Sequence, residues 1–173
     1  LTPVDEVGQY GGTIRTAIGN VNQLFGDPQG IIGTELVLRI APDFVSVTGG
    51  LFETWEFNED ATEQVLHLRK GLRWSDGEPM TTQDCLFDWQ DCKLNEELYP
   101  AGPPAAWRVG KDRTPMVMEA IDDYTLKLTF AEPYPLITLQ ECFYAGCQWG
   151  GMFAPKHYGM QFHPAYADAD ELA

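Results

Sequence analysis

Three local signals follow one another without a gap between Val65 and Trp89, and they constrain the fold of this chain more than any other feature. The first signal is an alternation of apolar and polar residues. Leu66 and Leu68 lie on one side of an extended backbone, whereas His67 and Arg69 lie on the other. Because successive side chains of a strand point to opposite faces, this pattern predicts a half-buried β-strand.

The second signal is a turn. Asp76 and Gly77 form a typical turn dipeptide, because Asp hydrogen-bonds its own backbone and Gly accepts a positive φ. Pro79 keeps the residue before it out of a helical conformation. A new element is therefore expected to begin after Pro79.

The third signal is the start of a helix. Thr81 is suited to the N-cap position, and Asp84 stands three residues later, as in a capping box. The spacing predicts a helix over residues 82–95. Its apolar face contains Cys85, Leu86, Trp89 and Cys92.

Weaker patterns predict the other elements. The alternating segment Tyr124–Phe130 predicts a strand that Asp122 and Asp123 turn back on residues 116–121. The remaining predictions are a strand at Gly12–Ile18, a helix at Ile31–Ile40, a hairpin of Phe52–Phe57 with Gln64–Arg69, an irregular connection at Glu96–Arg113, a helix at Leu136–Phe143 and a strand at Trp149–Phe153.

The order and spacing of three blocks, Leu68–Gly71, Trp74–Gly77 and Pro79–Asp84, carry a family resemblance. They resemble the signature of the family 5 extracellular solute-binding proteins, the oligopeptide and dipeptide receptors of bacterial ABC importers. The sequence departs from that pattern at Phe44–Gly50 and in its four cysteines. Further matching segments are Gly11–Arg15, Leu51–Phe57, Ile121–Pro133 and Pro155–His157.

The resemblance implies an α/β fold like that of the type II periplasmic binding proteins of the peptide-binding group. We expect part of it: a mixed β-sheet with flanking helices, with the second lobe absent from this chain. The implied domains are residues 1–40 as the start of the first lobe, 41–154 as an inserted subdomain with hairpins and the helix 82–95, and 155–173 as a return segment toward the first lobe.

The resemblance also implies a function. Receptors of this family bind an oligopeptide or another small solute between two lobes, and the closed form docks on an ABC permease in the membrane. No catalytic residue and no cofactor are implied. The implied location is periplasmic or extracellular, with lipid anchoring to the membrane left open. Because the match covers only the N-terminal portion of such receptors, we expect a fragment that binds peptide weakly or not at all.

A loop after the first predicted strand is where the resemblance suggests that this lobe faces the ligand cleft. Its residues are Gly19, Asn20, Val21 and Asn22. Extended peptides are often held by backbone hydrogen bonds, which tolerate any side chain. These four residues are therefore predicted to contact the ligand.

Composition, charge and motifs argue against some functions without reference to the family resemblance. Of the 173 residues, 44% are apolar, which is typical of a globular protein. The net charge of -15 with only 11 basic residues argues against a nucleic-acid partner, whose phosphates a binding surface must neutralise. The sequence lacks the nucleophile elbow, phosphate-binding loop and zinc-protease helix of common enzymes. It also lacks a transmembrane run and an N-terminal signal peptide, so its compartment is inferred from the resemblance alone.

Two alternatives remain open at this stage. One is a stand-alone protein-interaction module that uses exposed strand edges. The other is a small zinc-binding domain, because four potential ligands recur at roughly the spacing of a two-cysteine, two-histidine site. They are Cys142, Cys147, His157 and His163.

The cysteines also raise the question of disulfides. Cys85 and Cys92 would stand about two turns apart on the predicted helix, roughly 10 Å, which is beyond the reach of a disulfide. A bridge from this helix to the segment Cys142–Cys147 and a set of free buried thiols both remain possible from the sequence.

Overall fold

The computed structural model describes residues 11, 13, 36–143 and 152–167. The predicted first strand, Gly12–Ile18, lies outside these residues except for Thr13, which is not in a strand. The described strands are β1 (Leu38–Ile40), β2 (Val47–Gly49), β3 (Phe52–Phe57), β4 (Glu63–Leu68), β5 (Arg108–Val109), β6 (Thr114–Pro115), β7 (Val117–Asp122) and β8 (Thr125–Thr129).

The described helices are short. They are α1 (Thr82–Leu86), a π-helix (Phe87–Lys93), a 3₁₀ turn (Ala105–Trp107), α2 (Ile137–Phe143), α3 (Lys156–Gly159) and a second 3₁₀ turn (Met160–Phe162). Among them, none combines the length and the apolar character that crossing a bilayer requires.

A four-stranded sheet with the order β3-β4-β8-β7 forms the centre of the fold. The hairpin of β3 with β4 and the hairpin of β7 with β8 confirm the two strand pairs predicted from the sequence. Leu66 pairs with both Trp55 and Leu126, which fixes the register across three strands. Every strand pair in the described part of the chain is antiparallel.

The two faces of this sheet differ in chemistry. Leu66 and Leu68 are buried, as the alternation predicted, and they belong to one apolar cluster with the helix residues Cys85, Trp89 and Ile137. The outer face is charged: Lys127 lies 3.2 Å from Glu63 and 3.4 Å from Glu119. Buried members of the core include Phe52, Trp89, Trp107, Met118, Leu126, Leu128, Ile137 and Met152.

The capping box of α1 is present as predicted. The Thr81 hydroxyl accepts a hydrogen bond from the backbone N–H of Gln83, and the Asp84 carboxylate accepts one from the backbone N–H of Thr81, at 2.8 Å. The helical region differs from the predicted 82–95, because it continues as a π-helix and ends at Lys93.

The π-helix has a physical reason in the sequence. Asp88 and Lys93 form a salt bridge between largely buried side chains five residues apart. An i to i+5 spacing places two side chains on one face of a π-helix, whereas in an α-helix they point in clearly different directions. The buried ion pair therefore favours the wider turn.

Side chains of this helical region cover the edge strand β7. Thr82, Trp89 and Gln90 donate hydrogen bonds to backbone carbonyls of residues 122, 116 and 118, over 2.6, 3.2 and 3.4 Å respectively. Unpaired edge carbonyls are templates for pairing with another chain. This edge is therefore protected, which does not favour the alternative of an interaction module that uses it.

Three weaker predictions need correction. The helix predicted for Ile31–Ile40 is wrong at its described end, because residues 38–40 form β1 and pair with β2 across a turn closed by the Asp43 carboxylate. Glu96–Arg113 is largely irregular as predicted, but it contains a 3₁₀ turn and β5. Met152 and Phe153 are not in a strand, and the rest of the strand predicted at Trp149–Phe153 lies outside the described residues.

Candidate functional site

The loop predicted to contact ligand, Gly19, Asn20, Val21 and Asn22, lies outside the residues that the structure describes. Its assignment as a ligand site therefore stays a prediction. The described residues that could form a site belong to the sheet, the helices and the segment at 152–167.

An open groove of about 440 Å³ lies at one end of the sheet. It is formed by the start of β3, the end of β4 and the turn between β7 and β8. The residues that line it are Glu53, Thr54, His67, Leu68, Lys70, Asp122, Asp123, Tyr124 and Thr125.

Strand pairing places the polar side chains of this groove. His67 in β4 stands opposite Thr54 on one side and Thr125 on the other, so all three lie on the same face. The backbone N–H of Leu68 donates to the carbonyl of Tyr124 over 2.8 Å, which holds the turn against the end of β4. The groove thus follows directly from the register.

Both signs of charge meet in the groove. The Lys70 ammonium lies 5.5 Å from the centre of the Tyr124 ring, in a cation–π arrangement. The pKa of Asp122 is lowered, mainly by the hydrogen bond from the Tyr124 backbone N–H and less by Lys70, so its carboxylate is charged at neutral pH. Such a lining is suited to polar or zwitterionic groups.

The blocks that carried the family resemblance meet in space. Asp84 Oδ1 accepts a hydrogen bond of 2.9 Å from the backbone N–H of Lys156. His157 Nε2 lies 2.7 Å from Asp76 Oδ2 in the Asp-Gly turn. The signature residues Asp76 and Asp84 therefore attach the segment at 155–157 to the first blocks, and their contacts are architectural.

Three of the four residues of the alternative zinc site can be described, because Cys147 lies outside the described residues. Cys142 is buried, and His157 is engaged with Asp76. His163 Nε2 lies 3.1 Å from the carbonyl oxygen of Asp91. In the described ranges, no group of three or more His, Cys, Asp and Glu side chains is arranged to hold a metal ion.

The described cysteines do not form disulfides with one another. Cys85, Cys92 and Cys142 are free thiols. Burial raises the pKa of Cys85 well above its usual value, which makes this thiol a poor nucleophile. The pairing of Cys147 falls outside the described residues.

Sequence reasoning missed one polar pair in the core. Glu141 in α2 and Gln64 in β4 are both fully buried, and Gln64 Nε2 donates to Glu141 Oε2 over 3.0 Å. A signal existed, since Glu141 follows the buried Ile137 by four residues and therefore lies on the same helix face.

Comparison with protein families gives one match that covers most of the chain. Residues 46–170 match the profile described as bacterial extracellular solute-binding proteins, family 5 middle. The chain is 30% identical to the periplasmic α-galactoside-binding protein of Rhizobium meliloti, over 94% of this chain and 25% of that protein. It is 36% identical to the periplasmic oligopeptide-binding protein of Escherichia coli, over 50% of this chain and 18% of that protein.

The solved structures that resemble this chain are also solute-binding proteins. An oligopeptide-binding protein aligns with a TM-score of 0.80 and 34% identity, over 98% of this chain and 25% of its own. A periplasmic binding protein of Agrobacterium fabrum, solved in complex with stachyose, aligns with a TM-score of 0.61 and 27% identity, over 83% of this chain and 21% of its own. The chain thus spans about a quarter of the length of the proteins that it matches over most of its sequence.

Proposed function

This chain belongs to the family 5 bacterial extracellular solute-binding proteins, and from that membership we propose that its protein is the extracytoplasmic binding component of an ABC importer. The proposal rests on the family match across residues 46–170. The fold class expected from the sequence, part of a type II periplasmic binding protein fold, is confirmed by the solved neighbours.

In the proposed mechanism, the solute lies between two lobes, closure buries it, and the closed form delivers it to the membrane permease. A ligand shifts such an equilibrium only by its difference in affinity for the open and closed forms. The protein is proposed to work without enzymatic chemistry. Its proposed location is the periplasm or the cell exterior, in agreement with the names of its relatives, and the proposal leaves lipid anchoring open.

Oligopeptides are the first proposed solute class. This choice is supported by the oligopeptide-binding protein that aligns with nearly the whole chain. α-Galactoside oligosaccharides are the second class, because the Rhizobium meliloti relative matches 94% of the chain and a stachyose complex is among the solved neighbours.

The proposed ligand contacts are the backbone groups of Gly19, Asn20, Val21 and Asn22. The proposed organisation assigns residues 1–40 to the first lobe, 41–154 to an inserted subdomain and 155–173 to a return segment. Two contacts bear on these boundaries: β1 at the end of the first range pairs with β2, and Lys156 is bonded to Asp84. Both boundaries are therefore expected to be joined tightly to the inserted part.

Calorimetry on the natural protein that contains this chain tests the solute class. Mixed oligopeptides and α-galactoside oligosaccharides are titrated separately, with free amino acids and glucose as controls. Saturable heat with peptides supports the first class, and saturable heat with galactosides supports the second. If neither class binds to protein freed of its endogenous solute, both proposed solute classes are wrong.

A pair of substitutions tests the loop. Val21→Pro removes one backbone N–H, whereas Val21→Ala keeps it and shortens only the side chain. If backbone hydrogen bonds hold the ligand, affinity falls in the proline variant and stays near wild type in the alanine variant. Circular dichroism and thermal unfolding check that both variants are folded. Equal affinities in two folded variants would contradict the role of this loop.

A further inference from the structure

The buried pair of Glu141 and Gln64, called here the acid–amide pair, joins α2 to the central sheet. Both side chains have no exposed surface, and they are 77 residues apart in the chain. The amide Nε2 of Gln64 donates to the carboxyl Oε2 of Glu141 over 3.0 Å. This bond accounts for one oxygen of the carboxyl group.

Two oxygens remain. Glu141 Oε1 and Gln64 Oε1 are both buried, and neither has a hydrogen-bond partner among the described residues. Leaving a buried acceptor unsatisfied is destabilising, and more so if the group is charged. Two oxygen acceptors cannot satisfy each other, unless one of them carries a proton. A carboxylic acid supplies that proton, because its O–H can donate to the amide oxygen.

We propose that Glu141 is held as a neutral carboxylic acid, that its Oε1–H donates to Gln64 Oε1 to close a cyclic pair, and that the docking of α2 on the sheet is therefore linked to pH. One proton would satisfy both remaining oxygens. The two planar groups would then exchange two hydrogen bonds, with each side chain donating once and accepting once.

Among the residues that the structure describes, the charged groups around the acid–amide pair do not include a counter-ion. On its own helix, the neighbouring titratable group is the Cys142 thiol. On β1, which packs against α2, Arg39 follows the buried Leu38 and so points to the other side of that strand. On β4 and β8, Glu63 and Lys127 lie on the opposite face of the sheet and bond to each other.

The strand partners of Gln64 are apolar as well. They are Phe57 in β3 and Leu128 in β8. In agreement with this environment, the pKa of Glu141 is raised to about 8, because burial disfavours the charged form more than the bond from Gln64 favours it. Thus the geometry and the electrostatics point to the same protonation state at neutral pH.

The consequence for stability has a definite sign. Since the folded pKa is raised, the native state binds this proton more tightly than the unfolded chain does. The contribution of the pair is fully present below the ordinary value of 4.5, falls as the pH rises, and stops falling above about 8. Alkaline conditions should therefore loosen the attachment of α2.

Infrared spectroscopy of the natural protein tests the protonation state directly. The difference between wild type and Glu141→Gln should contain the C=O band of a carboxylic acid at about pH 6 and about pH 7, and this band should disappear with a midpoint near 8. The exposed Glu59→Gln is the matched control and should leave the carboxylic-acid band in place. Carbon-13-labelled glutamate in the wild type identifies the band independently of any variant.

Thermal unfolding as a function of pH tests the link to stability. Glu141→Gln mimics the neutral acid, because its amide can donate to Gln64 Oε1 and accept from Gln64 Nε2. Its melting temperature should match or exceed that of wild type above about pH 7, with a shallower pH dependence between 4.5 and 8. A carboxylate band from Glu141 at about pH 6, or equal pH slopes for wild type and Glu141→Gln, would overturn the proposal.

Discussion

The Asp84 carboxylate accepts hydrogen bonds from two backbone N–H groups that are far apart in the chain, those of Thr81 and Lys156. The first bond completes the capping box of α1. The second attaches α3, 72 residues later, to the start of the helix. One buried side chain thus both caps a helix and holds a distant segment.

Removing this carboxylate should destabilise the protein strongly. In Asp84→Ala, the backbone N–H groups of Thr81 and of the half-buried Lys156 both lose their acceptor, which together costs about 2–4 kcal/mol. Thr81→Ala loses only a cap and should cost about 1 kcal/mol. Chemical denaturation of both variants measures the difference.

Asp84→Asn sharpens this test, because an amide offers only one oxygen to the two N–H donors. It should be nearly as unstable as Asp84→Ala. Asp112→Ala, at an exposed turn, is the matched control and should change stability by less than about 0.5 kcal/mol. If Asp84→Asn were as stable as wild type, the two-donor role of Asp84 would be wrong.

The ion pair inside the π-helix gives the second prediction. Asp88 and Lys93 side chains are only 14% and 5% exposed, and burial raises the pKa of Asp88 despite the opposing effect of Lys93. Lys93→Met leaves a buried carboxylate without this cation and should cost about 3–5 kcal/mol at neutral pH. The loss should shrink in acid, where Asp88 takes up a proton.

A double-mutant cycle isolates this pair. Asp88→Asn with Lys93→Met removes both charges and should recover most of the stability lost in Lys93→Met alone. Additive losses in the double variant would show that the two charges do not stabilise each other.

The strands and the helix start were predictable because their signals are local. The alternation at Leu66 and Leu68 and the cap at Thr81 depend on residues within a few positions of each other. The contacts of Asp84 with Lys156 and of Gln64 with Glu141 join residues 72 and 77 positions apart, and no short pattern encodes them.

Local signals also failed where a tertiary contact was stronger. The apolar spacing of Ile31–Ile40 predicted a helix, but Leu38–Ile40 form a strand that pairs with β2. The spacing of apolar residues around Trp89 predicted an α-helix. That spacing says nothing about the charged residues Asp88 and Lys93, whose buried ion pair favours the π-helix. The prediction of the ligand loop depended on the family resemblance alone, because the loop sequence contains no motif that indicates a binding site.

Close backbone packing at Gly50 gives the third prediction. A Cβ at Gly50 would lie 2.1 Å from the Leu36 carbonyl oxygen, which already accepts the N–H of Leu51. Gly50→Ala must therefore displace β3 from the segment before β1 and should cost more than about 3 kcal/mol. Urea denaturation measures the loss.

Gly71 is the matched control for this substitution. Its φ is +86°, but a Cβ there would meet no atom within 4 Å. Gly71→Ala should therefore cost only the backbone strain, about 1–2 kcal/mol. A loss in Gly50→Ala no larger than that in Gly71→Ala would contradict the close approach at Gly50.

The contact between Asp76 and His157 gives the last prediction, which concerns pH. The pKa of Asp76 is lowered, first by the hydrogen bond with His157 and then by the backbone N–H of Glu78. Since the folded pKa is lowered, the stabilisation is present above the ordinary value of 3.8 and is lost as the pH falls through the folded value. Acid should therefore release α3 from the turn.

Hydrogen exchange of the α3 amides follows this release. The N–H groups of Tyr158 and Gly159 donate to the Pro155 carbonyl, so their protection reports whether α3 is formed. Both Asp76→Ala and His157→Ala should speed their exchange at neutral pH, and the double variant should exchange no faster than the faster single one, because each change breaks the same contact. Unchanged exchange in both single variants would contradict a role of the Asp76–His157 contact in holding α3 in place.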